Sequence, residues 1–134
     1  ESIENEFYDR WRTHAKPIVD TVLQQYGLKS TDNVLELMKG IALGGITKDE
    51  AGKLAGELST SWWANVKKEA DKIGDPSAKQ MFIDSKRAEL ALALESAALA
   101  ALDDTRKSFP LGSVARELTP YLFAGSKPTA KARL

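Results

Sequence analysis

The sequence predicts an all-α domain, a single-domain bundle of four to five helices, and three observations carry this prediction. Apolar residues recur at three- and four-residue spacings along most of the chain, which is the period of an amphipathic helix. Capping residues, glycines and prolines separate these stretches where helices would begin and end. The run AELALALESAALAAL at 88–102 holds seven Ala and five Leu in fifteen residues and lacks β-branched residues, a composition that favours helix.

The Ala/Leu-rich run lies within a predicted central helix at about 76–107. Asp75 followed by Pro76 is typical of an N-cap and a first helical position, and Phe109-Pro110 marks the end. The leucines fall on two nearly opposite sides, with Leu90 and Leu94 on one and Leu92, Leu99 and Leu102 on the other. A helix that is apolar on two sides is usually buried between neighbours, so we expect both sides to be covered.

Two helices are predicted before residue 46. The first begins at a Ser2 cap, continues through Pro17 with a kink and ends at Gly27. Its apolar stripe is Ile3, Phe7, Trp11, Ala15, Ile18 and Val22. The second is capped by Ser30 or Thr31 and stops at Gly44-Gly45, with the buried face Val34, Leu37, Met38, Ile41 and Ala42.

A capping box opens the third predicted helix, with Thr47 as N-cap and Glu50 three residues into the helix. The apolar stripe keeps its phase up to Ile73, so the sequence predicts one unbroken helix from Lys48. The stripe consists of Ala51, Leu54, Ala55, Leu58, Trp62, Val66 and Ile73.

The last part of the chain differs from the rest. Ser113 is expected to cap a short C-terminal helix with Val114, Leu118 and Leu122 on one face. The remaining GSKPTAKARL is polar and basic, typical of an extended tail. The predicted organisation is a helical bundle domain at 1–124 and a basic C-terminal arm at 125–134.

Composition limits the classes of function. The chain contains no Cys, which excludes disulfides and thiolate metal sites and slightly favours a cytoplasmic location. Nineteen basic and nineteen acidic side chains give no overall field that would steer the protein to nucleic acid or to an anionic membrane. The apolar run at 88–102 is too short for a membrane span and is interrupted by Glu95.

Glu95 is a charged residue on an apolar side of the central helix, because it falls between Leu92, Leu99 and Leu102. If the position is buried, the carboxylate needs a cation or a hydrogen-bond donor, or it takes up a proton. Glu95 is therefore a candidate buried charge that could act as an acid or a pH-sensitive latch. The alternative is a structural position at an edge, satisfied by a side chain of a neighbouring helix.

A second candidate surface surrounds Trp63. Gly52 and Gly56 lie one turn apart on the same helix side as Trp63 and Lys67, leaving a shallow groove beside an aromatic ring. Tryptophan is enriched at binding hot spots, so this groove could accept a helix of a partner. The alternative is that the Ala-rich side of the central helix fills the groove within the same chain.

No motif indicates an enzyme. His14 is the single histidine, and one histidine without cysteine does not make a zinc site. Neither a phosphate-binding loop, a dinucleotide fingerprint nor an EF-hand loop occurs. We therefore expect a protein without catalytic residues, metal or cofactor.

The leading interpretation is a non-enzymatic module that binds other protein chains as a subunit or adaptor, through Trp63 with Gly52 and Gly56 and through the arm. Nucleic-acid binding is the alternative, using a helix-turn-helix-like segment at 47–68 and the basic tail. A membrane-active helical protein is a second alternative, and membrane association is the least expected. The basic side chains considered for partner binding are Lys67, Lys127, Lys131 and Arg133.

Overall fold

The computed structural model describes residues 3–113, and in this part of the chain every regular element is a helix. The elements are α1 (Ile3–Val22), a 3-10 helix (Gln24–Tyr26), α2 (Asp32–Leu43), α3 (Lys48–Leu58), α4 (Thr60–Ala70) and α5 (Pro76–Lys107). The predicted all-α fold is confirmed. The predicted short C-terminal helix and the arm lie outside the described residues.

The long helix α5 is the centre of the bundle, because it contacts each of the other four α-helices. Its buried side is rich in small residues, which let neighbouring helices approach closely. These buried residues are Leu90, Ala91, Leu94, Ala97, Ala98, Ala101 and Thr105. The predicted central role of the Ala/Leu-rich helix is therefore confirmed.

The second leucine side of α5 differs from the prediction. Leu92 and Leu99 are 53% and 52% exposed, and Leu102 is half-buried. The expectation that both sides are covered is wrong for the described part of the chain. The physical reason is that the residues buried by α1–α4 all fall on one side of α5, so residues 3–113 leave the opposite side open.

Helix α1 runs through Pro17, as the sequence predicts, but it ends at Val22 and not at Gly27, which instead caps the 3-10 helix. After the proline its buried residues differ from the predicted stripe. The core contacts follow a continuous four-residue spacing: Phe7, Trp11, Ala15, Val19 and Leu23. Ile18 is half-buried and Val22 is exposed, in contrast to the predicted stripe. Residues spaced by four form a row on the helix surface that is inclined to the helix axis. When a helix packs along such a row, the position of its buried residues shifts gradually around the helix.

The predicted third helix is two helices, and the expectation of an unbroken helix is wrong. Ser59 separates α3 from α4 with φ −106° and ψ 80°, outside the helical region. Its buried hydroxyl donates a hydrogen bond to the carbonyl oxygen of Tyr26, thirty-three residues away. The backbone of Gly27 lies so close that a Cβ there would be 2.7 Å from the Ser59 Oγ. The break therefore coincides with a tertiary contact, which helical periodicity cannot reveal.

The predicted starts of α2, α3 and α5 are confirmed, whereas the caps predicted at Ser2 and Ser113 concern helix starts outside the described residues. Thr31 caps α2 by accepting a hydrogen bond from the Val34 amide. Thr47 and Glu50 form both halves of the capping box at α3. The Asp75 carboxylate accepts a hydrogen bond of 2.8 Å from the Ala78 amide at the start of α5.

Candidate interaction surfaces

The Trp63 side chain is held by aromatic and cationic groups of its own chain. Its ring stacks on that of Trp62, with centroids 6.2 Å apart and planes inclined by 25°. The Arg87 guanidinium lies 4.7 Å from the centroid of the Trp63 ring, and the Lys67 ammonium lies 5.8 Å from it. Trp63 is half-buried, so only part of its surface is available to another molecule.

The groove expected at Gly52 and Gly56 is filled from within the chain. A Cβ at Gly52 would lie 2.6 Å from the carbonyl oxygen of Arg87 and 3.5 Å from the Ala91 Cβ, so α5 runs directly over this position. A Cβ at Gly56 would be 3.6 Å from ring atoms of both Trp62 and Trp63. Both glycines are buried. Helix α5 therefore covers Gly52, as the alternative predicts, whereas the rings of Trp62 and Trp63 in α4 lie over Gly56.

Glu95 lies at an edge of α5 between its buried and exposed sides. Its side chain is 33% exposed, and its Oε1 lies 3.6 Å from the ammonium of Lys48, the first residue of α3. The structure thus matches the edge position with a neighbouring partner, and the alternative of a fully buried carboxylate is wrong.

A second glutamate of α5 interacts with Tyr26. Burial raises the pKa of the Tyr26 hydroxyl above its ordinary value of 10.0, and the charge of Glu89 and a hydrogen bond to it raise that pKa further. This contact links the 3-10 helix to α5 near the junction of α3 and α4.

The described residues provide neither a metal-binding cluster nor a membrane-spanning helix. Within residues 3–113 no three His, Asp or Glu side chains are grouped so that they could hold a metal ion. Across the same residues no helix has the length and apolarity to cross a membrane. His14 is half-buried on α1.

An open apolar groove lies between α2 and α3, and sequence reasoning missed it. Its volume is about 610 Å³, and it is lined by Asn33, Glu36, Leu37, Lys39, Gly40, Ile46, Leu54, Glu57 and Leu58. Leu54 and Leu58 are 45% and 41% exposed, although the periodicity placed them in a buried stripe. We refer to this surface as the α2–α3 groove.

The shape of the α2–α3 groove follows from small residues on both helices. On α3 the buried residues Ala51, Gly52, Ala55 and Gly56 are all small, and Gly52 lies directly under α5, whereas Leu54 and Leu58 are exposed. On α2 Gly40 has no side chain, and Ile46 occupies the space beside it. A Cβ at Gly40 would lie 2.5 Å from the Ile46 Cδ1. The alternation of small residues and leucines in α3 is the signal that could have indicated this surface.

The rim of the α2–α3 groove is acidic. Glu36 and Glu57 line it and are exposed. Lys39 is the basic residue of the lining, but its ammonium lies 4.4 Å from the centroid of the Tyr8 ring, directed towards α1. The groove therefore combines exposed leucines with two exposed carboxylates at its edge.

The predicted site residues do not come together as one surface. Gly52 and Trp63 lie beside α5, and Gly56 and Lys67 lie beside the Trp63 ring, whereas Lys127, Lys131 and Arg133 lie outside the described residues. Comparison of the chain with protein-family models, with curated proteins and with solved structures finds no match.

Proposed function

We propose that the protein is a non-enzymatic helical module that binds another protein chain, and that the α2–α3 groove receives an amphipathic helix of that partner. The observation that carries the proposal is the exposure of Leu54 and Leu58 along one wall of an open apolar groove. Contiguous exposed apolar surface on a folded domain commonly marks an interaction site.

The dimensions of the groove support a helical ligand. Leu54 and Leu58 are one helical turn apart, so their side chains lie next to each other along α3. A volume of about 610 Å³ accommodates several bulky side chains but no whole domain. A helix that binds in a groove is recognised through anchor residues at three- and four-residue spacing. The four-residue spacing of Leu54 and Leu58 matches such anchors.

The rim charges define the chemistry of the partner. The carboxylates of Glu36 and Glu57 favour a ligand whose apolar stripe is flanked by Lys or Arg. Exposed charges contribute mainly to association rate and to discrimination between ligands, whereas the leucines provide the buried apolar area. We therefore expect basic-flanked helices to be preferred and that preference to weaken with salt.

The experiment uses two synthetic helical peptides with the same leucine stripe, one flanked by Lys and one by Glu. Binding is measured by fluorescence anisotropy against the wild-type chain and against Leu58→Asp. The Lys peptide should bind more tightly than the Glu peptide, and Leu58→Asp should weaken binding at least about tenfold, because a buried carboxylate would oppose the apolar contact.

The control variant is Met81→Asp, which places the same charge on an exposed residue of α5 that does not line the groove. It should bind the Lys peptide like the wild-type chain. Equal binding of both peptides, or equal binding to Leu58→Asp and the wild-type chain, would refute the proposal.

Nucleic-acid binding stays an alternative prediction. The two helices α3 and α4 within 47–68 are joined by Ser59 alone, shorter than the three- to four-residue turn of a helix-turn-helix. Lys67 and Lys68 are exposed in the last turn of α4, followed by Glu69 and Asp71. A salt-sensitive shift of DNA or RNA that is lost in a Lys67→Gln, Lys68→Gln variant would favour this alternative.

A further inference from the structure

Helix α5 has an open side along most of its length. Its buried residues all fall on one side of the helix, and the residues on the opposite side are exposed. Leu92 and Leu99 lie two turns apart on this open side and are each about half exposed, and Met81 is 70% exposed. We call this side the outer face, and its residues are Met81, Ser85, Ala88, Leu92, Ser96, Leu99, Asp103 and Arg106.

The two leucines of the outer face are arranged for packing against another helix. Their separation of seven residues is the repeat by which paired helices contact each other. Ala88 and Ser96 each precede a leucine by about one turn, and both are small and exposed. Small side chains let a second helix axis approach to about 8–10 Å. The outer face therefore fits the side of a straight helix.

The charges beside the outer face are ordered along α5. Asp84 lies towards its start and Arg106 near its end, and both are exposed. A parallel second α5 would place each of these charges beside its own kind, which is unfavourable. An antiparallel second α5 places Asp84 of each copy beside Arg106 of the other. The charge order therefore favours an antiparallel helix of the same sequence.

The leucines define the register of such a pair. When two antiparallel α5 helices are centred between residues 95 and 96, Leu92 of each copy faces Leu99 of the other, and the same register joins Asp84 to Arg106. A shift by seven residues would place Leu99 opposite Ser85 in one direction and Leu92 opposite Arg106 in the other. One register therefore satisfies the apolar and the charged contacts together.

The acidic residues in the middle of α5 are balanced in this register. Glu95 of each copy lies close to the twofold axis, where its carboxylate already has the Lys48 ammonium of its own chain at 3.6 Å. Ser96 of the second copy lies opposite, and its hydroxyl is a hydrogen-bond donor. Like charge at the axis is thus offset within each chain.

Two ion pairs of α5 come side by side farther from the axis. Lys86 lies 3.6 Å from Glu89, and Lys107 lies 3.0 Å from Asp103. In the antiparallel register the first pair of one copy neighbours the second pair of the other, and the four charges sum to zero. These residues therefore neither drive nor prevent the contact.

We propose that a second copy of this chain packs on the outer face, with the two α5 helices antiparallel about a twofold axis between residues 95 and 96. Such a contact is isologous, the commonest arrangement in homo-oligomers. A single helix pair is smaller than a standard interface of about 800 Å² per partner, so the dimer is weak and reversible. The proposal is independent of the function proposed for the α2–α3 groove.

The first experiment measures the dimer dissociation constant of the full chain by sedimentation equilibrium. Leu99→Asp should raise it at least about tenfold, because the substitution buries a carboxylate at two symmetric places. Leu54→Asp is the matched control, since it makes the same change at an exposed leucine of α3. It should leave the dissociation constant unchanged.

A charge exchange tests the antiparallel direction. Asp84→Arg and Arg106→Asp should each weaken the dimer by about three- to tenfold, because each places like charges together twice. The variant that combines both substitutions restores the opposite charges and should return to within about twofold of the wild-type dissociation constant. Circular dichroism checks that these exposed substitutions leave the helix content unchanged.

Spin labels measure the register directly. Because the chain lacks Cys, a nitroxide can be attached to a single Ser96→Cys or Met81→Cys substitution. In the proposed dimer the two labels at position 96 lie beside the twofold axis, whereas the two at position 81 are separated by about 44 Å along the helices. Pulsed electron paramagnetic resonance distinguishes these distances.

A chain that stays monomeric at the highest attainable concentration would overturn the proposal. The same holds for a dimer that Leu54→Asp weakens and Leu99→Asp does not, since that result would assign the contact to the α2–α3 groove. Additive weakening by the two charge substitutions, or a short distance between labels at position 81, would exclude the antiparallel arrangement.

Discussion

The carbonyl oxygen of Arg87 lies directly above Gly52, where an added Cβ would be only 2.6 Å away. The backbone of α5 therefore occupies the space that a side chain at position 52 of α3 would need. The contact explains why α3 and α5 pack closely and why this glycine is buried rather than available to a partner.

The first prediction is that Gly52→Ala lowers the free energy of unfolding by about 1–3 kcal/mol, because a backbone atom must move to make room for the methyl group. Alanine has a higher helix propensity by up to about 1 kcal/mol, which offsets only part of this cost. Denaturant unfolding followed by circular dichroism measures the change.

Gly74→Ala is the matched control for Gly52, because a Cβ at position 74 meets no atom within 4 Å. Its free energy of unfolding should stay within about 0.5 kcal/mol of the wild-type value. Equal effects of the two substitutions would contradict the close approach of α5 to Gly52.

The second prediction concerns the junction of α3 and α4. Ser59→Ala removes the donor for the Tyr26 carbonyl in a buried place and should lower the free energy of unfolding by about 1–3 kcal/mol. Ser61→Ala, at an exposed position of α4, serves as the control and should change it by less than about 0.5 kcal/mol. A Ser59→Ala chain as stable as the control would mean that the hydrogen bond does not support the junction.

The junction shows how far sequence reasoning extends in this protein. Helix starts at Thr31, Thr47 and Asp75 were predictable, because a cap needs only residues that are near in sequence. The break at Ser59 was not, because the chain stays in helical phase and the hydroxyl finds its partner thirty-three residues away.

The same limit applies to the candidate surfaces. Periodicity placed Leu54 and Leu92 on apolar stripes but could not tell which stripe a neighbouring helix covers, and both residues are exposed. Gly52 could be recognised as a close-approach position, while the identity of the helix that approaches it was one of two alternatives. The apolar stripes of the helices were therefore predictable, but which of these residues are buried and which are exposed was not.

The third prediction is a loss of stability at alkaline pH that depends on Tyr26. Its folded-state pKa is raised above 10.0 by burial, and then by Glu89, so the folded protein keeps the phenol proton at pH values where the unfolded chain releases it. The stabilisation is complete below the unfolded pKa of 10.0 and is lost as pH rises through the higher folded pKa.

Ultraviolet absorbance of phenolate, compared between the wild-type chain and Tyr26→Phe, isolates the titration of this residue. Glu89→Gln should lower the midpoint, because it removes the negative charge beside the hydroxyl, but the midpoint should stay above 10.0 since burial is the larger cause. An unchanged midpoint in Glu89→Gln would show that the two side chains do not interact.

The final prediction concerns Glu95 and Lys48. An ion pair at 3.6 Å with side chains 33% and 53% exposed is largely solvated, so Glu95→Gln should reduce the free energy of unfolding by less than about 1 kcal/mol at neutral pH. Breaking a buried pair instead costs about 3–5 kcal/mol, which unfolding measurements distinguish clearly. Lys48→Gln should have a similarly small effect, and the double variant should show a coupling below about 1 kcal/mol. A loss of several kcal/mol in Glu95→Gln alone would restore the view of Glu95 as a buried charge.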